Sequence, residues 1–127
     1  MDTDVSVLII DDARSMRRTI RNILKDFGFK KISEAEDGKE GIKLLEQSVS
    51  TGKFGLILCD WNMPNTSGVE VLQNVKANSD LKDIPFIMIT AEGRKEFILD
   101  AIKEGADSFI VKPFTPTILS EKINSIL

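Results

Sequence analysis

The 127-residue sequence contains no histidine and only one cysteine, and these two scarcities exclude several kinds of active site. Without histidine, the chain cannot build Ser-His-Asp or Cys-His catalysis, a histidine-ligated zinc site or a phosphohistidine of its own. The single cysteine, Cys59, cannot form an internal disulfide, and it lies in an apolar run that is typical of a buried strand. Any metal ion must therefore be held by oxygen ligands, which favours magnesium, manganese or calcium.

The sequence also lacks a long hydrophobic run and an excess of basic residues. No segment approaches the about 20 apolar residues of a membrane-spanning helix, and the N-terminal segment is acidic where a signal peptide would be basic. The net charge of −3 argues against a nucleic-acid-binding surface. We therefore expect a cytoplasmic protein with neither a membrane nor a nucleic acid as partner. The length and the hydrophobic content of 42% are typical of a single domain spanning residues 1–127.

Short apolar runs alternate with helical patterns along the whole sequence. The apolar runs cover residues 5–10, 30–35, 54–59, 85–90 and 108–111. Between them, apolar residues recur at helical spacing, as in Met16, Ile20 and Leu24 before Gly28, which stands where a helix-ending glycine belongs. This alternation predicts an α/β fold, with a five-stranded parallel sheet and helices on both of its faces. We expect the segment 48–53 (SVSTGK) to be a long, pliable loop.

Charged or polar side chains stand at the ends of four of these apolar runs. They are Asp11 and Asp12, Asp60, Thr90 and Lys112. Because the carboxyl ends of parallel strands meet at the edge where open α/β sheets bind ligands, we expect these side chains to form one site. Two carboxylates about 4 Å apart repel by on the order of 4 kcal/mol at an effective dielectric of about 20. The cluster therefore indicates a divalent cation together with a reactive carboxyl group.

Each of these residues also has an ordinary structural interpretation. The two adjacent aspartates could cap the first helix, the threonine could be a plain strand residue, and Lys112 could be a surface lysine. An unpaired carboxylate at Asp60, at the end of a buried strand, is harder to explain in this way. The Lys112–Pro113 bond could be cis, which would turn the lysine inward.

In these segments the sequence resembles the receiver domain of two-component response regulators, in particular the stand-alone chemotaxis receivers of the CheY type. The matching segments are IIDDARSMRR (9–18), CDWNMPNTSG (59–68), MITAEG (88–93) and VKPFTP (111–116). The resemblance covers essentially the whole chain in order. It implies a flavodoxin-like (CheY-like) fold with the strand order 2-1-3-4-5, an order known for this family and not worked out from the residues.

The resemblance assigns the acidic residues to phosphoryl transfer. It implies that Asp60 is the phosphoacceptor, whose carboxylate attacks a phosphoryl group to form an aspartyl phosphate. It also implies that Asp12, Asp60 and the backbone carbonyl of Asn62 bind Mg²⁺ directly, while Asp11 helps through a bound water. Asn62 and Glu92 would tune the rates of phosphorylation and dephosphorylation.

The resemblance assigns the remaining polar residues to the phosphoryl group and to a switch. Thr90 and Lys112 would hold phosphoryl oxygens as catalytic residues, together with backbone N–H groups near Asn62 and Ala91. Thr90 and Phe109 would then rearrange together and alter the face of the fourth helix, fifth strand and fifth helix, where partners bind. Phe109 departs from the family pattern, because tyrosine is common at this position and the sequence contains no tyrosine.

The implied function is that of a signalling switch and not of an enzyme acting on a separate substrate. A histidine kinase of the CheA type would be the phosphodonor, and a flagellar motor switch protein or another downstream protein would bind the phosphorylated chain. A phosphatase would be a further partner, and we expect a monomer. An alternative is a phosphorelay intermediate that passes its phosphoryl group to a histidine phosphotransfer protein.

Two further classes fit the sequence less well. A phosphatase of the haloacid-dehalogenase type needs an acid two residues after its nucleophile, where this sequence has Asn62. A flavodoxin has a Ser/Thr-rich phosphate loop after its first strand, where this sequence has two aspartates that would repel the phosphate of the flavin.

Overall fold

The computed structural model describes residues 2–91 and 93–127, which form a five-stranded parallel sheet with helices on both faces. The strands are β1 (Ser6–Ile10), β2 (Lys31–Ala35), β3 (Leu56–Asp60), β4 (Phe86–Thr90) and β5 (Ser108–Val111). The helices are α1 (Arg14–Asp26), α2 (Gly38–Thr51), α3 (Gly68–Ala77), α4 (Lys95–Lys103) and α5 (Pro116–Ile126). The strand order is β2-β1-β3-β4-β5, and every neighbouring pair is parallel. Both the predicted α/β class and the order implied by the resemblance are confirmed.

The core lies in two halves, one on each face of the sheet, because alternate residues of a strand point to opposite faces. On one face, Leu8 and Ile57 pack with apolar side chains of α2, α3 and α4, which are Leu45, Val71, Leu72, Val75 and Ala101. On the other face, Ile9 and Leu58 pack with apolar side chains of α1 and α5, which are Ile20, Leu24, Leu119 and Ile123. Burial on both faces explains why the central strands are nearly continuous apolar runs.

Local signals in the sequence set the ends of several helices. Asp37, Ser67 and Thr115 are the N-caps of α2, α3 and α5, and each side chain accepts a hydrogen bond from the backbone N–H three residues on. Beyond the last turns of α1 and α4, Gly28 and Gly105 adopt φ angles of 106° and 109°. Glycine tolerates this left-handed conformation, so that the predicted helix end at Gly28 is confirmed and Gly105 ends α4 in the same way.

The second helix is longer than the sequence predicts. We expected a loop at residues 48–53, but α2 continues to Thr51. Ser48 is buried and its hydroxyl donates to the carbonyl of Leu45, while the hydroxyl of Thr51 donates to the carbonyl of Gln47. Hydroxyl side chains that are typical of loops here donate to backbone carbonyls inside the helix, and the loop prediction is wrong for this reason.

The boundaries of β3 also differ from the prediction. The strand covers Leu56–Asp60 instead of 54–59, so that Asp60 is the last residue of the strand and not the residue after it. The other four predicted strands agree with the structure to within one residue at their N-terminal ends. Among the described helices, none has the length and apolar character that a membrane crossing requires.

Candidate functional site

The residues predicted to form one site meet at the carboxyl edge of the sheet. Asp11 and Asp12 follow β1, Asp60 ends β3, Thr90 ends β4 and Lys112 follows β5. One carboxylate oxygen from each of the three aspartates lies within 4.8 Å of the other two. The parallel arrangement brings these strand ends together, as the sequence predicted.

Lys112 connects the site to the edge strand β5. Its Nζ atom lies 3.2 Å from Oδ1 of Asp60 and 3.3 Å from Oδ2 of Asp11, and its side chain is 19% exposed. Its backbone N–H donates to the carbonyl of Thr90 over 2.7 Å. The Lys112–Pro113 peptide bond is cis. Lys112 is therefore a member of the acidic site, and its interpretation as an ordinary surface lysine is wrong.

The carboxyl group of Asp60 is buried and has a raised pKa. Only 5% of the residue is exposed, and this burial, with the nearby charge of Asp11, raises the pKa of Asp60 to about 6. The ammonium group of Lys112 acts in the opposite direction and lowers that pKa. The carboxylate is thus ionised at neutral pH, but its charge is poorly solvated. A bound cation or a covalent bond to the carboxylate would relieve that cost.

The two adjacent aspartates do not cap the first helix. The N-cap of α1 is Ala13, and no side chain caps this end of the helix. Asp11 is buried, and its Oδ1 accepts a hydrogen bond of 2.8 Å from the backbone N–H of Ala13. The guanidinium group of Arg17 donates to the backbone carbonyl of Asp11 over 2.7 Å, which holds this turn against α1. Asp12 is exposed, and this places it at the open side of the site.

Gly68 is a site residue that the sequence reasoning missed. A Cβ atom at this position would collide with the backbone carbonyl oxygen of Asp60 and would lie 2.8 Å from the Cα of Trp61. The N–H of Gly68 donates to the carbonyl of Trp61 over 2.9 Å. Ser67 and Glu70 form a capping-box pattern, which is a sequence signal for the helix start at Gly68 but not for its approach to β3.

The remaining predicted residues lie around this cluster. Thr90 is buried, and Asn62 is exposed in the segment between β3 and α3. Phe109 is half-buried on β5, with the ammonium group of Lys122 lying 4.8 Å from the centre of its ring. Glu92, which we expected to tune the reaction rates, lies outside the described residues. The roles predicted for Thr90, Asn62 and Phe109 stay predictions.

The donor atoms of the cluster fit a hard divalent cation. Asp11, Asp12 and Asp60 offer oxygen ligands only, and within residues 2–91 and 93–127 they are the one such group of three acidic or cysteine side chains. The neighbouring Cys59 is not a suitable ligand. Its Sγ lies 3.4 Å from the backbone carbonyl of Asp60, and burial raises the pKa of the thiol well above its ordinary value. A neutral, buried thiol binds metal ions poorly.

Comparisons with known proteins agree with this arrangement. A family model described as the response regulator receiver domain matches residues 7–124. Chemotaxis protein CheY-3 of Vibrio cholerae is 40% identical over 126 residues, which cover 99% of this chain and 94% of that protein. Chemotaxis protein CheY of Pseudomonas aeruginosa is 40% identical over 122 residues, which cover 96% of this chain and 95% of that protein.

Solved structures give the same result for the fold. CheY4 of Vibrio cholerae, crystallised at low pH, superposes with a TM-score of 0.88 at 31% identity, covering 98% of this chain and 99% of that one. A chain of the CheX-CheY-BeF3-Mg+2 complex from Borrelia burgdorferi superposes with a TM-score of 0.88 at 28% identity, covering 96% and 88% of the two chains. The chain belongs to the response regulator receiver domain family.

Proposed function

We propose that this chain is a chemotaxis response regulator that accepts a phosphoryl group on Asp60, requires Mg²⁺ for this reaction, and binds other proteins according to its phosphorylation state. The observation that carries the proposal is the position of Asp60. Its carboxylate ends a buried strand, lies beside two further aspartates and contacts Lys112, and its pKa is raised to about 6. The 40% identity to CheY proteins of two bacteria supports the assignment to chemotaxis.

The reaction follows from the chemistry of these side chains. One oxygen of the Asp60 carboxylate attacks the phosphorus of the donor, and a new O–P bond forms. The bond from phosphorus to the donor's histidine nitrogen, or to the acetate oxygen of acetyl phosphate, breaks, and the leaving group keeps its electron pair. The product is an acyl phosphate, in which the carboxyl group of Asp60 no longer carries its own charge. Burial raises the free energy of the free Asp60 anion and so favours this conversion.

Lys112 and Thr90 supply the donors for the phosphoryl oxygens in this proposal. The ammonium group of Lys112 already lies within 3.3 Å of two carboxylates, so that a short movement would bring it to a phosphoryl oxygen. Thr90 ends the neighbouring strand and would donate through its hydroxyl group. Bound Mg²⁺ would be held by Asp12, Asp60 and the carbonyl of Asn62, with Asp11 assisting, and would supply positive charge at the cluster.

The proposed partners act at two surfaces. A histidine kinase would deliver the phosphoryl group at the carboxyl edge of the sheet. A downstream protein, such as a flagellar motor switch protein, would bind the face of α4, β5 and α5, where Leu99, Ile102 and Ile118 are 45%, 49% and 40% exposed. The complex of a CheY with CheX from Borrelia burgdorferi supports a CheX-like protein as a third kind of partner.

Labelling with acetyl phosphate tests the proposal. We expect one phosphoryl group per chain on Asp60, stable in acid and labile in base, when Mg²⁺ is present, and none when Mg²⁺ is removed by a chelator. Asp60→Asn should take no label, because an amide is not a nucleophile here, and Asp83→Asn, which changes an exposed aspartate, should behave as the parent. Equal labelling of Asp60→Asn would contradict the proposal. Rapid transfer of the label to histidine phosphotransfer proteins would instead indicate a phosphorelay intermediate.

A further inference from the structure

The aromatic ring next to the proposed phosphoacceptor contacts the first turn of α4. Trp61 follows Asp60 directly, and its ring meets the ring of Phe97 edge-on, with centroids 6.3 Å apart and planes at 84°. The backbone of Trp61 is fixed on both sides, because its N–H donates to the carbonyl of Ile89 and its carbonyl accepts from Gly68. A shift of the Asp60 end of β3 would therefore change the geometry of the Trp61–Phe97 contact.

A basic side chain also contacts the Phe97 ring. The guanidinium group of Arg94, the N-cap residue of α4, lies 4.6 Å from the centre of the Phe97 ring. Arg94 also lies 3.6 Å from the carboxylate of Glu96, but both side chains are mostly exposed, so that this ion pair alone does little to fix them. Phe97 thus contacts both the Trp61 ring and the guanidinium group of Arg94.

The rest of α4 is weakly anchored. Ala101 is the one fully buried residue among the nine of this helix, while Leu99 and Ile102 are exposed. By contrast, α2 and α3 each bury four residues. A helix with so little buried apolar surface depends strongly on the contacts of its ends, and the Phe97 ring makes one such contact in its first turn.

The geometry points to Phe97 as a positioning residue that couples the occupancy of Asp60 to the position of α4, through Trp61. This inference rests on the proposed function, since it concerns how phosphorylation of Asp60 is transmitted. A phosphoryl group at Asp60 can shift α4 only if some contact of α4 differs between the phosphorylated and the unphosphorylated protein. The Trp61–Phe97 contact can differ in this way, because Trp61 directly follows Asp60 and Phe97 lies on α4. It reaches α4 from β3, and it is separate from Phe109, which lies on β5.

The test compares three variants by hydrogen exchange of the α4 amides, with and without Mg²⁺ and beryllofluoride. Phe97→Leu keeps an apolar side chain without the ring, Phe97→Tyr keeps the ring, and Asp100→Ala is the control at an exposed position of the same helix. We expect the change in exchange rate that beryllofluoride causes to be at least threefold smaller in Phe97→Leu than in the parent. Phe97→Tyr and Asp100→Ala should show the same change as the parent. Acetyl phosphate labelling should stay within about twofold of the parent in all three.

The outcomes separate this inference from the function on which it rests. A full α4 response in Phe97→Leu, or an equal loss of the response in Asp100→Ala, would overturn the coupling by Phe97 while leaving the proposed function intact. A parent protein that takes no label on Asp60 and shows no response to beryllofluoride would overturn both. If the α4 exchange response to beryllofluoride is lost in Phe97→Leu but present in Phe97→Tyr, the result would support Phe97 as the residue that positions α4.

Discussion

The ammonium group of Lys112 lies 3.2 Å from Oδ1 of Asp60, although 51 residues separate the two in the chain. The same ammonium group lies 3.3 Å from Oδ2 of Asp11, so that one positive charge serves two buried carboxylates. This arrangement leaves the cluster with an excess of negative charge before any cation binds. The stability, the metal affinity and the proposed switching of the protein all depend on this excess of negative charge.

Removal of the Lys112 charge should destabilise the protein in the absence of metal. In Lys112→Met, the carboxylates of Asp11 and Asp60 face each other without the positive charge between them, and we expect the free energy of unfolding at pH 7 to fall by about 1–3 kcal/mol. Urea denaturation in the presence of a chelator measures this change. Lys112→Arg, which keeps the charge, is the matched control, and its free energy of unfolding should fall by less. A Lys112→Met protein as stable as the parent would show that the ion pairs contribute little.

The raised pKa of Asp60 predicts how the stability of the metal-free protein depends on pH. The pKa is about 6 in the folded protein against an ordinary value of 3.8. Between these two values the folded state holds a proton that the unfolded chain releases, and so the contribution of Asp60 to the free energy of unfolding falls as the pH rises. The total loss should be at most about 3 kcal/mol, since each pKa unit corresponds to about 1.36 kcal/mol.

Asp60→Asn removes this titration and isolates its effect. The free energy of unfolding of the variant minus that of the parent should be largest near pH 7 and should shrink as the pH falls toward 4. Denaturation curves at several pH values, with a chelator present, give this difference. A difference that does not change with pH would mean that the pKa of Asp60 is close to its ordinary value.

Asp12→Ala should weaken magnesium binding with little effect on the fold. Asp12 is exposed, so that its removal should change the free energy of unfolding of the metal-free protein by about 0.5 kcal/mol or less. The loss of a direct carboxylate ligand should nevertheless lower the affinity for Mg²⁺ at least tenfold. Titration of Mg²⁺ by Trp61 fluorescence or by calorimetry measures the affinity. Glu36→Ala, at an exposed acid outside the cluster, should bind Mg²⁺ as the parent does.

Gly68→Ala should damage the site through the backbone. Its methyl group would collide with the carbonyl oxygen of Asp60, and we expect a loss of about 2–3 kcal/mol in the free energy of unfolding, together with slower labelling of Asp60. Gly93→Ala is the control, because among the described residues the nearest atom to a Cβ there belongs to the side chain of Val111, at an ordinary contact distance of 3.4 Å. Thermal denaturation and acetyl phosphate labelling test both variants. Equal effects of the two substitutions on stability and labelling would show that the close approach of Gly68 to Asp60 does not require a glycine at position 68.

Phe109→Ala should leave labelling of Asp60 close to that of the parent while abolishing the proposed switch. Deleting the ring removes the element that distinguishes the two states, so that the ratio of partner affinities with and without beryllofluoride should approach one. The measurement uses a partner captured from a cell extract by the beryllofluoride-activated parent. Lys122→Met, which removes only the ammonium group over the ring, should keep most of this ratio. A full ratio in Phe109→Ala would exclude the aromatic switch in this protein.

The sequence determined the fold class and the identity of the cluster. Short apolar runs alternating with helical patterns can be buried only in an α/β sheet, and polar residues at the run ends must then lie at one edge. The positions of Asp11, Asp12, Asp60, Thr90 and Lys112 along the chain were therefore enough to predict that they meet.

Only the tertiary structure decided how these residues interact. That Lys112 contacts both Asp11 and Asp60 depends on the packing of three strands that are remote in sequence, and no local pattern encodes it. The requirement for glycine at position 68 arises from the approach of α3 to the end of β3. The sequence predicts a loop where the last turn of α2 lies, because hydroxyl residues favour loops locally. In the structure, the burial of Ser48 favours the helix instead. Local propensity fixes which elements form, but distances between side chains on different elements follow from packing, which sequence periodicity does not specify.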